Sequence, residues 1–401
     1  MAGQTRRKTV VEAHPFKPLR IAYFSEVYWP KASGVALTVQ RTTKAMQARG
    51  HKTRVYAPWG ELPPGSPDIE GVHRSPGLPL VWDASIHWAF PRRREVLADL
   101  AEFRPHIVHL VTEWPMGRTG AWAGRRLGVP MIASAHTDYE RYSRIYKAQM
   151  TVKPGWAMLR RFYSQAAKVL CPSIPYERHL NSRGVVHTGI WARGVDPADF
   201  NPRFRTDEFR RTVGAGPDDL IVTHVGRLAP EKDLNVLADA WERLGRKGRR
   251  GAKLVIVGSG LVEDDIRARG LPDSHMTGLL LDQALSEAYA SGDIFAFPSS
   301  TETFGNCLLE AMSSGLAPIV VGEGGVLDYA RDGQNALIVP AHDPAAFAEA
   351  LSKLLTDHKL RARIRQGALD TAAASGWDSV FDGLLADYRS VVEGWKVWQA
   401  A

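Results

Sequence analysis

The 401-residue sequence predicts an α/β protein built from two doubly wound, Rossmann-like parallel-sheet domains that face each other across a cleft. Short, continuously apolar, β-branched runs alternate with helical patterns, which is typical of parallel sheets covered on both faces. Pro, Asp and Gly interrupt this alternation at Arg193–Arg203, and two series of elements result. A chain of this length also exceeds the size at which one hydrophobic core usually keeps growing.

The first series predicts strands at Arg20–Ser25, Thr53–Ala57, His106–Leu110, Pro130–Ser134 and Lys168–Cys171. It predicts helices between them at Ala36–Arg49 and Arg94–Phe103. The second series predicts strands at Leu220–Val225, Lys253–Val257, Asp293–Pro298, Ala317–Val321 and Ala336–Val339. It predicts helices at Leu234–Leu244, Ser286–Ala290, Cys307–Ser313 and Pro344–Leu355. We therefore expect a loose basic tail over residues 1–18, a first domain over 19–195 and a second over 196–375. A last helix, within residues 376–401, is expected to pack toward the first domain.

Charge and cysteine usage restrict the function classes. The net charge of +8 and the pI near 9.4 favour anionic partners such as nucleotides, phosphates, an acidic membrane surface or nucleic acid, although an ordinary basic surface accounts for them equally well. No run of about 18 apolar residues is present, and the basic start lacks the apolar middle of a secretion signal. The two cysteines lie far apart without zinc-site spacing, which indicates a cytoplasmic protein.

Two glutamates, Glu302 and Glu310, stand in SSTETFGNCLLEAMSSG with seven residues between them. Glu302 follows the predicted strand Asp293–Pro298, at the edge where open α/β sheets bind ligands. A helix starting near Asn306 would direct its N–H groups and positive dipole end at that crevice, and Gly305 would let the backbone approach a phosphate. Glu302 and Glu310 would then accept hydrogen bonds from hydroxyl groups on either side of a diphosphate. The alternative is that Glu302 is only an acidic residue at a helix start and that Glu310 is exposed to solvent.

A second motif, VGRLAPEKDLNVLADA, places Arg227 and Lys232 after the first strand of the second domain. Five residues apart across a short loop, these cations can point into the same crevice. An arginine fork and a lysine point charge would neutralise a diphosphate leaving group without a metal, and no Asp-x-Asp pair that could hold a metal occurs. The competing interpretation is a surface salt bridge of Lys232 with Glu231 or Asp233.

Three weaker signals involve single residues. Ser33 and Gly34 follow the first predicted strand and precede a helix start, where N–H donors would face the cleft from the first domain, although a plain strand-to-helix turn accounts for them as well. His136 comes directly after Pro130–Ser134, where it can face a ligand, although a buried structural histidine is the commoner outcome. Gly258 and Gly260 form a glycine turn without the third glycine of a dinucleotide fingerprint, which disfavours a dehydrogenase.

Together, these motifs resemble the retaining nucleotide-sugar glycosyltransferases of the GT-B fold whose hallmark is Glu, seven residues, Glu. The similarity runs from about Arg20 to Leu355, and its most specific parts are GRLAPEKDL, GDIFAFPSSTETFGNCLLEAMSSGLAPIVV and GGVLDYARDGQNALIVP. The resemblance implies a first domain that binds the acceptor and a second that binds the nucleotide-sugar donor. It implies transfer of a hexose, mannose or glucose, from a GDP- or UDP-sugar without a metal or other cofactor.

The same resemblance assigns roles to single residues. Arg227 and Lys232 would hold the diphosphate, Glu302 the donor sugar, and Glu310 the ribose. His136 would contact the sugar near its 6-hydroxyl. The remaining predicted donor contacts are Gly34, Gly258 and the backbone of Phe304, Gly305 and Asn306.

The acceptor is expected to be a lipid or a glycan, because His136–Tyr146 is similar to members that glycosylate lipids. Basic and aromatic residues interleave from Tyr139 to Tyr163, which suits an anionic membrane interface at the inner face of the membrane. The contact candidates are Arg141, Tyr142, Arg144 and Trp156, with Glu113 as a further acceptor-side candidate. The alternative is a solvated helix face with a core-facing aromatic stripe.

Two other functions compete with a transferase. A sugar-nucleotide epimerase can share the fold but typically lacks this glutamate pair beside GRLAPEKDL. A non-enzymatic nucleotide- or nucleic-acid-binding protein would fit the basic charge, but no RNA-binding motif is present, so nucleic acid is not an expected partner. The sequence leaves the oligomeric state open.

Overall fold

The computed structural model describes residues 17–29, 33–59, 70–80 and 83–400. The predicted basic tail lies outside these residues except for its last two positions. The strands are β1 Arg20–Phe24, β2 Lys52–Pro58, β3 Val72–Ser75, β4 Gly77–Leu80, β5 Asp83–Ala89, β6 Ile107–Leu110, β7 Met131–Ser134, β8 Lys168–Cys171, β9 Thr188–Ile190, β10 Ile221–Val225, β11 Lys253–Val257, β12 Ser274–Gly278, β13 Ile294–Phe297, β14 Ala317–Val321 and β15 Leu337–Val339.

The helices are α1 Gly34–Ala48, α2 Arg93–Phe103, α3 Pro115–Leu127, α4 Tyr139–Ile145, α5 Val152–Tyr163, α6 Ile174–Ser182, α7 Asp207–Thr212, α8 Leu234–Arg249, α9 Glu263–Ala268, α10 Asp282–Ala290, α11 Asn306–Ser313, α12 Pro344–Thr356, α13 His358–Ala373 and α14 Trp377–Ala400. Gly245 interrupts α8 with a φ of 59°, so this element is two helical pieces joined at a kink.

Within the described residues, the strands form two parallel sheets and a separate antiparallel hairpin. The first sheet has the order β3-β2-β1-β6-β7-β8-β9, and the second has the order β12-β11-β10-β13-β14-β15. The hairpin pairs β4 with β5. The predicted class, two doubly wound parallel-sheet units, is therefore confirmed.

The central strands of both sheets are buried on both faces. Every residue of β6, β10, β13 and β14 is buried, and these strands consist mainly of Ile, Val, Leu, Phe and Ala. Helices pack on either face, so that each sheet separates two apolar clusters. This arrangement explains why the strands read as continuous apolar runs rather than as alternating ones.

The chain crosses between the two sheets at two adjacent points. The Val195 N–H donates to Ser375 O at 2.9 Å, and a Cβ at Gly194 would lie 2.7 Å from the Trp377 backbone nitrogen. Beyond this crossing, α14 returns to the first sheet, where fully buried Tyr388 belongs to the same cluster as Tyr23 of β1. The domain limits given above stay predictions.

Candidate active site

The candidate site lies at the carboxyl ends of β10 and β13, which are hydrogen-bonded neighbours in the second sheet. From β10 the strand order continues outward through β11, and from β13 it continues in the opposite direction through β14. Ligands of open α/β sheets bind in the crevice at such a reversal. Arg227 and Lys232 follow β10, whereas Glu302 and Gly305 follow β13, so the four residues border one crevice.

Lys232 and Glu302 form an ion pair with each other, in which the lysine ammonium donates to Glu302 Oε1. Only 16% and 14% of the two side chains are exposed. Burial opposes the charge of Lys232, but the Glu302 carboxylate and the Tyr142 hydroxyl raise its pKa above the ordinary value. Lys232 is therefore held cationic in the crevice. Its carboxylate partner is Glu302 rather than Glu231 or Asp233, the partners of the competing interpretation.

Arg227 donates a hydrogen bond to Glu231 Oε1, and the side chain of Glu231 is fully buried. The opposite oxygen, Glu231 Oε2, accepts a hydrogen bond from the Tyr146 hydroxyl at 3.0 Å. The Tyr142 hydroxyl lies 3.5 Å from Arg227 Nη2. Because 47% of the Arg227 side chain is exposed, its guanidinium is accessible to a ligand while the partner acid is not.

The N-terminal ends of α1 and α11 face each other across the crevice. Gly305 precedes α11 with a φ of 92°, and a Cβ at this position would lie 2.8 Å from Val326 Cγ1. Gly34 is the first residue of α1, and a Cβ there would lie 3.2 Å from the side-chain nitrogen of Asn306. Helix N-termini carry positive dipole ends and N–H donors, which bind phosphate groups. Both ends reinforce the positive charge of the lysine and the arginine.

The loop before α11 is anchored through its carbonyl groups. The Tyr329 hydroxyl donates to the carbonyl oxygens of Phe304 and Gly305, at 3.2 and 2.8 Å. The Phe304 ring is buried, and its centroid lies 5.2 Å from that of Tyr329. These contacts hold the backbone of the loop while Asn306, with its N–H, opens the helix at the crevice.

Glu310 lies about one turn into α11. Its Oε2 accepts a hydrogen bond from the Tyr289 hydroxyl at 2.9 Å. Burial raises the pKa of Glu310, and the Tyr289 bond offsets part of that rise. Glu302 thus precedes the N-terminal end of α11 and Glu310 lies within the helix, and the donor contacts assigned to the two glutamates stay predictions.

His136 follows β7 and is half-buried, and both of its ring nitrogens are engaged within the protein. Nε2 lies 3.0 Å from Ser134 Oγ, and Nδ1 lies 2.8 Å from Arg193 Nη2. Its carbonyl oxygen accepts from Thr303 Oγ1 of the facing loop at 3.0 Å. In this conformation neither ring nitrogen is open to a sugar hydroxyl, so the direct contact assigned to His136 stays a prediction.

Gly258, one of the predicted donor contacts, has a clear packing role. Its φ is 131°, and a Cβ would lie 1.9 Å from the Gly226 carbonyl oxygen. The Gly258 N–H donates to Gly278 O at 2.8 Å. The glycine lets the loops after β10 and β11 approach closely, and a contact with the donor stays a prediction.

Trp156, predicted as an acceptor or membrane contact, is instead a core residue. Only 7% of Trp156 is exposed, and its indole N–H donates to Glu140 Oε2 at 3.0 Å. Phe162 and Tyr163 are buried in the same cluster. The aromatic residues of α5 thus line the core, which is the alternative interpretation of this segment. Its basic residue Arg160 is exposed.

Two further candidates on α4 face the second sheet rather than solvent. Arg141 donates to the Ser300 carbonyl oxygen, and its Nη2 lies 3.7 Å from Glu323 Oε2. Tyr142 reaches Arg227, as described above. The third candidate, Arg144, is exposed and pairs with Glu140 at 2.7 Å.

Other contacts across the crevice involve residues that the sequence reading missed. Ser173 Oγ donates to Thr303 O at 2.6 Å, and the Ile174 N–H donates to Asp328 Oδ2 at 2.8 Å. For Arg193 the sequence indicates only a place in the segment between the domains. No local signal marks these residues, because their partners lie far away in the chain. Glu113 is buried and accepts hydrogen bonds from the hydroxyls of two tyrosines.

Within the part of the chain that the structure describes, no group of three or more His, Cys, Asp or Glu side chains could hold a metal ion. None of its helices combines the length and the apolar character that are needed to cross a membrane.

Comparisons with known proteins identify the family of the chain. Residues 32–199 match the family described as Glycosyltransferase Family 4, and residues 205–370 match Glycosyl transferases group 1. The chain is 32% identical over 391 residues to a GDP-mannose-dependent alpha-mannosyltransferase of Mycobacterium tuberculosis, which covers 96% of this chain and 99% of that relative. It is 25% identical over 347 residues to an alpha-monoglucosyldiacylglycerol synthase of Streptococcus pneumoniae, covering 83% and 78% of the two chains.

The fold agrees as well. The solved structure of a sucrose-phosphate synthase from Thermosynechococcus elongatus aligns with a TM-score of 0.76 at 19% identity, over 94% of this chain and 100% of that one. Such a likeness at low identity supports the architecture alone. The family matches and the extent of identity to the first relative establish that the chain belongs to the glycosyltransferases of the GT-B fold and is a hexosyltransferase.

Proposed function

We propose that the protein transfers a mannosyl residue from GDP-mannose to a lipid or glycan acceptor, with retention of configuration and without a metal ion. The observation that carries the proposal is the Lys232–Glu302 ion pair, which joins the loop after β10, where Arg227 also lies, to the loop that leads into α11. The choice of GDP-mannose rests on relatives named GDP-mannose-dependent alpha-mannosyltransferases. A UDP-sugar or a glucosyl donor is the alternative.

The donor diphosphate would lie against Arg227, Lys232 and the two helix ends. A carboxylate can accept several hydrogen bonds, so Glu302 can bind a sugar hydroxyl while it keeps the Lys232 ammonium oriented. Glu310 would accept a hydrogen bond from the nucleotide ribose on the other side of the helix end. In this arrangement Glu302 would face the sugar, the two cations the diphosphate, and Glu310 the ribose.

In the proposed reaction, the bond between the anomeric carbon and the diphosphate oxygen breaks, and GDP departs with the electron pair. Lys232, Arg227 and the helix N-termini stabilise the negative charge that develops on the leaving group. The acceptor hydroxyl attacks from the same face, and an oxygen of the departing phosphate takes its proton. A double displacement would instead require a carboxylate on the opposite face of the anomeric carbon, a role for which the crevice offers no assigned residue.

We also propose that the protein acts at an anionic membrane surface on the cytoplasmic side. What supports this is a set of exposed basic residues on α4, α5 and the turn between them: Arg144, Lys147, Lys153, Arg160 and Arg161. Met150, in the same turn, is 95% exposed. Basic charge beside an apolar tip favours an acidic lipid surface. The buried aromatic residues of α5 take no part in this contact.

Donor assays test the function directly. The purified protein would be incubated with GDP-mannose, UDP-glucose or UDP-galactose, with and without EDTA, and nucleotide release and sugar transfer to extracted membrane lipids would be measured. We expect GDP release and lipid labelling only with GDP-mannose, unchanged by EDTA. Release from a UDP-sugar alone would reject the proposed donor, and activity abolished by EDTA and restored by a divalent cation would reject metal independence.

A further inference from the structure

We propose that Arg193 is a positioning residue that donates to His136 and thereby holds it in a single neutral tautomer. This bond begins a hydrogen-bond chain that continues from His136 to the C-terminal helix α14. The inference deepens the proposed function, on which its catalytic consequence rests. Arg193 is largely buried, and its guanidinium lies over the Trp191 ring, 4.7 Å from the centroid. It also donates to the carbonyl oxygens of Trp191 and Ala192 at 2.7 and 3.0 Å, which fix its direction.

The chemistry of arginine determines the proton positions at the start of the chain. Arginine only donates, so the 2.8 Å contact from Arg193 Nη2 requires His136 Nδ1 to accept. The ring proton of neutral His136 then lies on Nε2, which donates to Ser134 Oγ at 3.0 Å. The Ser134 hydroxyl hydrogen is left to donate to His109 Nε2, also at 3.0 Å.

The second half of the chain follows by the same logic. With Nε2 of His109 accepting, its Nδ1 carries the proton and donates to the Tyr388 hydroxyl oxygen at 2.6 Å. The Tyr388 hydroxyl donates in turn to the Tyr23 hydroxyl at 3.3 Å. Each group between the ends both accepts and donates, so one donor at Arg193 sets the direction of every bond. A neutral chain of this kind is consistent only if both histidines stay uncharged.

Burial and charge support the neutral state. The charged or titratable groups that face His136 among the described residues are Arg193, after β9, and His109, on β6. Burial first, and then the positive charge of Arg193, lower the pKa of His136 well below its ordinary value. The same two causes lower the pKa of His109 to about 3. Trp191 packs against both imidazole rings, at centroid distances of 5.2 and 5.7 Å.

The position of His136 links this chain to the reaction. Its carbonyl oxygen accepts from Thr303, the neighbour of Glu302 in the donor loop. A rotated ring would lose its contacts with Ser134 and Arg193, and a protonated ring would place a second cation beside Arg193. Misplacement of a neighbouring group by a fraction of an ångström to one ångström lowers turnover strongly. Arg193, Ser134 and α14 thereby gain a function beyond packing.

The test combines ring spectroscopy with kinetics. Protein labelled with ¹⁵N-histidine would be compared with Arg193→Met and Ser134→Ala by long-range ¹H–¹⁵N correlation spectra across pH, with His136→Gln identifying the His136 signals. We expect the parent to show one His136 tautomer, protonated at Nε2, whose pKa lies well below the ordinary histidine value. In Arg193→Met we expect mixed tautomers and a titration at higher pH. In Ser134→Ala the Nε2 signals of both His136 and His109 should shift together.

Activity provides the second readout. We expect kcat with GDP-mannose to fall between about tenfold and about 100-fold in both variants, with the Kd for GDP unchanged. Arg193→Lys, which keeps a cationic donor, should restore part of kcat and the parental tautomer. Arg210→Met is the matched control, because Arg210 is a buried arginine that donates to carbonyl groups near β10, away from His136. It should lower stability without moving the ring signals.

The two proposals fail separately. The spectra need no sugar donor, so an inactive parent with the expected ring signals would contradict the proposed function alone. Parental ring signals in both Arg193→Met and Ser134→Ala would overturn the hydrogen-bond chain. Altered ring signals with parental kcat would overturn the positioning role. Because Ser134→Ala removes a single hydroxyl, it keeps the question answerable even where Arg193→Met does not fold.

Discussion

The two sides of the crevice differ in the kind of polar groups that they present. On the second-sheet side, charged pairs line the site: Lys232 with Glu302, and Arg227 with Glu231. On the first-sheet side, a neutral hydrogen-bond chain runs from His136 through His109 to Tyr388. Charge can stabilise a diphosphate, whereas neutral, oriented groups can position an uncharged sugar or acceptor hydroxyl. On the proposed function, we expect affinity for the donor to come mainly from the second side and positioning of the reacting groups mainly from the first.

The construction of the two sides differs as well. The charged side consists of two loops that follow neighbouring strands, and its residues lie within two short sequence motifs. The neutral side takes groups from β6, β7, the segment after β9 and α14, and His109 and Tyr388 are 279 positions apart. A change in one loop can therefore alter the charged side alone, whereas the neutral side depends on the packing of the entire first sheet.

The largest expected effect is on the charged side. Lys232→Ala should lower kcat by about 100-fold to about 1,000-fold, because a cation facing the leaving group is lost. Steady-state kinetics with GDP-mannose would measure it, with the folded state checked by thermal unfolding. Lys253→Ala is the matched control, since Lys253 pairs with Asp273 at the opposite end of the second sheet. Near-parental turnover of Lys232→Ala would show that the ion pair is structural.

Acid should lower the free energy of unfolding, because each side of the crevice contains a buried neutral histidine. Burial lowers the pKa of His224 to about 4, compared with about 3 for His109. The unfolded chain binds protons below pH 6.5 while these folded rings do not, so unfolding free energy falls as pH drops from 6.5 toward 4. For His224 alone the loss is about 3 kcal/mol, at about 1.4 kcal/mol per pKa unit.

Urea unfolding at several pH values would measure this acid sensitivity. His224→Gln should flatten the decline, whereas His342→Gln should not, because the His342 side chain is 64% exposed. The same decline in His224→Gln as in the parent would exclude this histidine as a source of it.

The first-sheet side should also be the side that meets lipid. Replacing exposed Arg160 and Arg161 with Gln should weaken binding to anionic vesicles by about 2 kcal/mol at low salt, and added salt should weaken binding of the parent. Cosedimentation with phosphatidylglycerol vesicles would measure both effects. Arg363→Gln combined with Arg365→Gln, on α13, supplies a control with the same charge change. Salt-insensitive binding, or equal losses in the two double variants, would reject the membrane contact.

The smallest expected effect concerns the second glutamate. Glu310→Gln should weaken GDP binding by about tenfold, equivalent to about 1.4 kcal/mol, because a charged acceptor for the ribose is lost. At saturating GDP-mannose, kcat should remain close to that of the parent. Calorimetric titration with GDP would test this, with Glu349→Gln on the exposed face of α12 as control. An unchanged isotherm would remove Glu310 from the ribose site.

The predicted elements were most accurate where an apolar run is continuous and buried. The strands predicted at Lys168–Cys171, Lys253–Val257 and Ala317–Val321 match the observed bounds. By contrast, β9 and β12 were not predicted, since they are only partly buried and carry mixed sequences. The glycine-rich helix α3 was also missed. A Cβ at Gly120 would lie 2.5 Å from the Phe24 ring, so glycine serves helix-to-strand packing there, which propensity alone does not reveal.

The sequence by itself determined the parallel-sheet architecture, because apolar runs report burial locally, and it located the cations and the glutamate pair of the charged side, because short loops keep those residues together. Only the tertiary structure decided which charges pair, as with Lys232 and Glu302, 70 positions apart. Only folding assembled Arg193, Ser134, His109 and Tyr388 around His136, and only folding placed Trp156 in the core. Hydrogen bonds between distant segments depend on relative placement to within a few tenths of an ångström, which no local pattern of residues encodes.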